Sequence, residues 1–222
     1  MEKPSSKMRA VLFDFDGTLA DTAPDLGGAL NRMRIARSLA PLPLEALRPF
    51  TSAGARGLIQ AGFGFAAEHP DFAAMREEFL SYYGAHSCER TTLFAGIPEL
   101  LEAIEAKALP WGIVTNKPER FTLPIVAALG FQGRCACVVG GDTTANAKPH
   151  PAPLLEAARR IHLPPESCWY VGDDLRDVQA ARAAGMRSVA VEYGYLGTEN
   201  GSARDWNADL VIAFPLELLP HL

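Results

Sequence analysis

Asp14 and Asp16 stand two residues apart in the run Asp14–Phe15–Asp16–Gly17–Thr18–Leu19. The residues leading into it, Arg9 to Phe15, read as a buried strand. Side chains two apart on a strand face the same way. Both carboxylates then share one face at the carboxyl edge of a sheet, where open α/β folds bind ligands. Like charges that close repel unless a cation or a proton compensates them. Gly17 permits a tight turn straight afterwards.

Three further polar segments each follow an expected strand. Thr115–Asn116–Lys117 offers a hydroxyl and an amide suited to phosphate oxygens. Lys148 stands in Ala147–Lys148–Pro149–His150–Pro151, before a helix opened by proline. Gly172–Asp173–Asp174–Leu175–Arg176–Asp177 carries three acids. Alone, each also suits a plain structural part: a polar loop, a surface lysine, a capped helix start with favourable first-turn charge. Together, and in this order, they point to one site.

The elements that must position these groups alternate. Strands are expected at Arg9–Phe15, Trp111–Thr115, Cys137–Gly140, Cys168–Val171, Ser188–Val191 and Leu210–Ala213. Such short apolar runs suit a parallel sheet covered on both faces. Between them, Ile97, Leu100, Leu101 and Ile104 form one helical stripe, and Leu154, Leu155, Ala158 and Ile161 another. Pro118 opens a helical region that Pro124 is expected to break, with Thr122 capping a second turn. Gly185 suits a helix stop. The pattern implies a doubly wound, Rossmann-like parallel α/β core.

One interval does not alternate. From about Asp21 to about Arg90 only helical pieces are expected, carrying Leu26, Leu30 and Met33, then Phe72, Met75, Phe79 and Tyr82. An all-helical domain at 21–90, inserted into a core made of 1–20 and 91–222, is the expected division.

Composition bounds the function. The 222 residues are 48% hydrophobic and 21% charged, with a formal net charge of −5. That balance argues against nucleic acid or an anionic membrane surface as partner. No apolar run precedes the first strand and none is long enough to span a bilayer. The four cysteines, Cys88, Cys135, Cys137 and Cys168, form no CxxC pair and read as reduced thiols buried in strands. A cytoplasmic address is expected.

The four polar segments resemble the four motifs of the haloacid dehalogenase superfamily, and the resemblance covers essentially the whole chain. The helical insert looks like the cap of the phosphoglycolate phosphatase branch. The resemblance implies Asp14 as nucleophile and Mg²⁺ ligand, and Asp16 as general acid/base with its backbone carbonyl on the metal. It implies Asp173 as the third protein ligand, and Thr115, Asn116 and Lys117, with Gly17, as phosphate-side contacts. Lys148 would bridge the phosphoryl group to the nucleophile. Asp174 and Asp177 would act from behind these groups. Mg²⁺ and Lys148 supply the countercharge a phosphate dianion needs among carboxylates.

Arg56, within Thr51 to Gly57, is the candidate for holding the leaving group from the insert; a solvated loop arginine is the alternative. The implied function is hydrolysis of a small phosphate monoester through an aspartyl-phosphate, by a monomer or homodimer. Phosphoglycolate phosphatase-like activity is the leading expectation. The N-acetylmuramic acid 6-phosphate phosphatases are a second, because Ser52 to Arg56, Trp111 to Pro118, Tyr193–Gly194–Tyr195 and Trp206 resemble them. A β-phosphoglucomutase-type transferase is a third.

Overall fold

The computed structural model describes residues 8–197 and 200–222; the polar N-terminal stretch, 1–7, lies outside them. In chain order the elements are β1 (Ala10–Phe13), β2 (Ala20–Asp21), α1 (Ala23–Ala36), α2 (Leu44–Leu47), α3 (Gly54–Phe63) and α4 (Phe72–His86). There follow β3 (Thr92–Leu93), α5 (Ile97–Ala106), β4 (Trp111–Val114), α6 (Glu119–Ala128), β5 (Cys137–Val139) and α7 (Ala152–Arg160). Then come β6 (Cys168–Gly172), α8 (Leu175–Ala184), β7 (Arg187–Val191) and β8 (Leu210–Ile212), before a closing 3-10 helix at Pro215–His221.

Six strands form one parallel sheet in the order β5-β4-β1-β6-β7-β8. The fold is the expected doubly wound α/β class. The chain leaves β1 toward β4 on one side and returns to β6 on the other. That reversal is the topological switch point, and it opens a crevice at the carboxyl end of β1.

Period-two alternation divides the core. Val11 and Phe13 of β1, with Trp169 and Val171 of β6, pack in one cluster with the Ile97, Leu100, Leu101 and Ile104 stripe of α5. Ala10 and Leu12, with Cys168 and Tyr170, pack on the other face against Leu154 and Ala157 of α7 and Ala180 and Ala181 of α8. Each α5 stripe residue is at most 1% exposed, worth roughly 1.5–3 kcal/mol of burial apiece.

The interval 22–90 is helical, as expected, with a 3-10 turn at Arg48–Ala53 between α2 and α3. Sequence reasoning missed the short strands at its two ends. β2 and β3 pair antiparallel, Ala20 with Leu93 and Asp21 with Thr92. The two connections therefore run side by side.

Three local expectations need correction. Pro124 lies inside a single helix, α6. It sits on the exposed face, so the carbonyl that loses its helical donor can turn to water. Thr122 caps nothing new; its hydroxyl donates back to the Lys117 and Pro118 carbonyls. Next, the buried stripe of α4 is Met75, Phe79 and Tyr83 rather than Tyr82, following the i, i+4 spacing. Finally, only Cys137 and Cys168 are buried in strands, whereas Cys88 and Cys135 lie half-buried outside them.

Candidate active site

Asp14 is the first residue past β1. Its amide donates to the Val171 carbonyl at 2.8 Å, which continues the β1–β6 ladder and fixes its direction. The chain then turns sharply. The Phe15 carbonyl accepts from Leu19 and Ala20, and Gly17 takes φ +87°. A Cβ at Gly17 would lie 2.2 Å from Asp173 Oδ2. Glycine is thus required twice over there, by conformation and by the acid it lies against.

Asp173 follows β6. Thr18 Oγ1 donates to its Oδ1 at 3.0 Å and the Tyr195 amide to its Oδ2 at 2.8 Å. Asp174 caps α8 by accepting from the Arg176 amide, and Asp177 returns the favour at the Asp174 amide, a reciprocal capping box. Asp174 also holds the Arg176 guanidinium at 2.8 and 2.9 Å. Arg176 in turn donates to the Ser52 carbonyl of the insert at 2.8 Å.

Lys148 is 5% exposed. Its Nζ lies 2.8 Å from Asp14 Oδ1, 2.7 Å from Asp177 Oδ1 and 2.8 Å from the Tyr170 hydroxyl. Burial pulls this ammonium down, but Asp14 and Asp177 outweigh it and leave its pKa above the ordinary lysine value. The Asn116 side chain grips the Lys148 backbone from both sides. It donates to the Lys148 carbonyl at 3.0 Å and accepts from the amide at 2.9 Å. One amide hydrogen of Asn116 remains for an anion. Thr115, 2% exposed, accepts at its hydroxyl from the Lys117 amide.

Asp14, Asp173 and Asp177 each bring an oxygen within 4.8 Å of the others. Burial first, then the neighbouring acids, push Asp173 well above the carboxylate range. Burial likewise raises Asp177 to about 7, against the opposing pull of Lys148. Asp14 Oδ1 is buried and, apart from its ion pair with Lys148, no donor reaches it in hydrogen-bond geometry. A pocket of acids driven toward protonation, with one lysine among them, is short of positive charge. Its all-oxygen donor set fits a hard divalent cation.

The Asp16 side chain stands outside that cluster. Its Oδ1 receives Thr22 Oγ1 and Lys117 Nζ, both at 2.5 Å. Lys117, expected beside the phosphate, faces Asp16 in this structure. His150 turns outward and accepts from the Ala152 amide, so it shapes the turn.

These groups line one cavity of about 310 Å³. Asp14, Thr115, Lys148 and Asp173 come from the core, and Ser52, Arg56, Phe79 and Tyr83 from the insert. Arg56 is exposed at its rim. Among the described residues, the buried side-chain polar atoms without a hydrogen bond are Asp14 Oδ1, Ser52 Oγ and Tyr83 Oη, and all three residues line this cavity.

Residues 11–191 match the haloacid dehalogenase-like hydrolase family model. The chain belongs to that family. It is 42% identical over 216 residues to the N-acetylmuramic acid 6-phosphate phosphatase of Pseudomonas aeruginosa, covering 97% of this chain and 95% of that protein. It is 46% identical over 214 residues to the phosphoglycolate phosphatase of Xanthomonas campestris pv. campestris, covering 95% and 94%. Among solved structures, a predicted phosphoglycolate phosphatase from Haemophilus somnus superposes with a TM-score of 0.83 at 27% identity, covering 97% of this chain and 98% of that one. This chain is therefore a phosphatase of the haloacid dehalogenase-like hydrolases.

Sequence reasoning missed Tyr83, Tyr170 and Arg176. Each left a signal. Tyr170 sits in a strand buried on both faces, where its hydroxyl must find a partner. Tyr83 falls on the Phe79 stripe of α4. Arg176 is in the first turn of α8, beside the acid that caps it.

Proposed function

We propose that this chain hydrolyses a phosphate monoester bearing a carboxylate on its leaving group, through a phosphoryl group carried transiently on Asp14, with Mg²⁺ as cofactor. The observation that carries the reading is the Asp14–Lys148 contact of 2.8 Å at the floor of a cavity ringed by Asp173 and Asp177. Mg²⁺, held by the carboxylates of Asp14 and Asp173 and the carbonyl of Asp16, would neutralise charge gathering on the phosphoryl oxygens.

The chain's own groups divide the remaining work. An Asp14 carboxylate oxygen attacks phosphorus while the ester P–O bond breaks and its electron pair stays on the leaving oxygen. Asp16 gives that oxygen a proton. In the second step Asp16 takes a proton from the water that cleaves the acyl phosphate. Lys148 holds the transferring group in line with Asp14, and Asp177 and Tyr170 hold Lys148. Thr115, the remaining amide hydrogen of Asn116 and the backbone around Gly17 bind the phosphoryl oxygens. Residues 1–20 and 91–222 serve as the core and 21–90 as the cap that brings Arg56 to the leaving group.

Two substrates fit that chemistry. Phosphoglycolate is the first and carries its carboxylate next to the ester. N-acetylmuramic acid 6-phosphate carries a lactyl carboxylate on a sugar. A second cavity of about 470 Å³ favours the larger molecule, because it adjoins the first and shares Ser52, Arg56, Asp174 and Arg176 with it. Free thiols at all four cysteines and a small phosphorylated metabolite as substrate support a cytoplasmic address.

Phosphate release should be measured with Mg²⁺ on phosphoglycolate, N-acetylmuramic acid 6-phosphate, N-acetylglucosamine 6-phosphate and glucose 1-phosphate. One of the two carboxylate-bearing esters is expected to have the highest kcat/KM. N-acetylglucosamine 6-phosphate, which lacks the lactyl group, should be poorer than its muramate counterpart. Preference for an ester without a carboxylate would overturn the substrate class. Conversion of glucose 1-phosphate to its 6-phosphate would replace hydrolysis by transfer.

A further inference from the structure

Lys117 and Asp16 meet inside the cavity wall, 101 positions apart, with Nζ 2.5 Å from Oδ1. Thr22 Oγ1 donates to the same oxygen. Among the described residues, every hydrogen bond given to the Asp16 side chain ends on Oδ1, and Oδ2 receives none. The two oxygens of one carboxylate are therefore in different situations: one is anchored, the other is open.

The lysine is held on its far side too. Its backbone amide donates to Thr115 Oγ1 at 3.2 Å, at the end of β4. Its ammonium stands 4.9 Å from the centroid of the Tyr83 ring, on α4 of the insert. That ring is 2% exposed and packs against Phe121 of α6, with centroids 5.5 Å apart. A lysine so enclosed loses its hydration and most of its rotamer freedom. Its side-chain partners are a carboxylate and an aromatic face, and together they dictate where Nζ sits.

We propose that Lys117 is the positioning residue of the general acid: with Thr22 it anchors Oδ1 of Asp16 and so presents Oδ2 to the leaving-group oxygen, with the Tyr83 ring of the insert holding the ammonium in place. The inference rests on the reading of Asp16 as the acid. When the ester P–O bond breaks, its electron pair remains on the leaving oxygen, and the proton passes from Asp16 Oδ2 to that oxygen. When water attacks the acyl phosphate, its proton returns to Oδ2. Lys117 itself gives and takes no proton. It differs from Lys148, whose ammonium touches Asp14 directly.

The test compares aryl leaving groups of rising basicity. Steady-state kinetics on p-nitrophenyl, phenyl and p-methoxyphenyl phosphate would be run for the wild type, Lys117→Met and Asp16→Ala. A good leaving group departs without a proton; a poor one needs it. General acid catalysis contributes about 10²–10⁴-fold, and displacing the acid should forfeit part of that, so the p-nitrophenyl-to-phenyl ratio of kcat/KM, which reads the leaving-group step alone, should rise about tenfold in Lys117→Met. KM for p-nitrophenyl phosphate should stay within about twofold.

An equal fall in kcat/KM across the series would overturn the inference. So would a general rise in KM with kcat kept, which would make Lys117 a phosphate contact. Lys117→Gln, which keeps polarity but cannot reach Oδ1 with a cation, reads the same ratio if the methionine variant does not fold. Tyr83→Leu should show a smaller rise of the same kind. Asp16→Ala separates the two levels. If its own ratio does not rise, Asp16 is not the acid and both readings fall. If it rises and the Lys117 variants do not follow, only the positioning role falls.

Discussion

Thr91 donates from its hydroxyl to Asp25 Oδ2 at 2.7 Å, joining residues 66 positions apart. The Thr91 amide gives a second bond to the same oxygen, and the Arg90 amide bonds both oxygens of Asp25. Asp25 stands in the first turn of α1, where the insert begins, and Arg90 and Thr91 stand where it ends. With the β2–β3 pairing just below, this buried carboxylate fastens the two connections into one base.

Asp25→Ala should therefore destabilise the fold, because three donors, two of them on buried Thr91, lose their acceptor. The expected loss is on the order of 2–3 kcal/mol, read as a fall in the urea midpoint at unchanged slope. Asp25→Asn keeps one acceptor oxygen and should lose less. If the alanine variant unfolds at the wild-type midpoint, the acid has no part in joining the connections.

Asp14→Asn should abolish turnover, because an amide cannot form the acyl phosphate. The fold should survive the change, since the Asp14 amide bond to Val171 is made by the backbone. Mass spectrometry of the wild type quenched during turnover should find the phosphoryl group on a peptide containing Asp14. Phosphate release by Asp14→Asn at more than a few per cent of wild type would dismiss the covalent route.

Stability without metal should depend on pH in an unusual direction. Asp173 and Asp177 are both held above their ordinary range, Asp177 to about 7. The folded chain then keeps protons that the unfolded chain releases near 3.8. Protons bound preferentially by the native state mean that stability falls as pH rises through that window. Metal-free protein should accordingly melt lower at about pH 8 than at about pH 5.5, and added Mg²⁺ should restore more at the higher pH, where its ligands are already deprotonated. A melting temperature that climbs over this range in metal-free buffer would count against the acid cluster as the source. In activity assays chelator should silence the enzyme, and Asp173→Asn should raise the Mg²⁺ concentration it needs.

The sequence made the core site readable because its polar residues follow strands. Asp14, Thr115 and Asp173 come just after the strands or at their ends, and Lys148 just before α7, so a parallel sheet brings them to one edge. The same logic could not say how the side chains pair. Asn116 reads as an anion contact, and the strand-end pattern does not reveal that its amide also grips the Lys148 backbone. Lys117 reads as another, and the same pattern does not reveal its contact with Asp16 across 101 positions. Pairings of that range depend on how the loops after β1, β4 and β5 meet at the sheet edge, which no local pattern encodes. The β2–β3 ribbon was missed because two-residue strands are too short to carry a period. Pro124 misled because helix propensity is a weak prior, and an exposed helix face tolerates the missing donor.

Arg56 borders both cavities and projects from α3 of the helical interval. Glycine precedes it at Gly54, φ +58°, and follows it at Gly57, where a Cβ would meet the Phe50 carbonyl at 2.6 Å. The 3-10 turn therefore packs close on α3, and that closeness fixes where Arg56 starts. On the proposed reading, phosphoryl contacts would lie in the core with Thr115 and Lys148, and carboxylate recognition with Arg56, whose planar fork can hold a carboxylate through two bonds. Arg56→Ala should then lower kcat/KM for the carboxylate-bearing ester by about 10- to 100-fold, the size of a lost charge-assisted pair. p-Nitrophenyl phosphate, which offers Arg56 no carboxylate, should change by less than about threefold. Lys148→Ala should cripple both, because both need the phosphoryl group held against Asp14. Arg56→Lys keeps the charge without the fork and should fall between. If Arg56→Ala leaves the ratio between the two substrates where it was, the leaving group is read elsewhere in the cavity, and Arg176, the other arginine common to both cavities, becomes the residue to substitute.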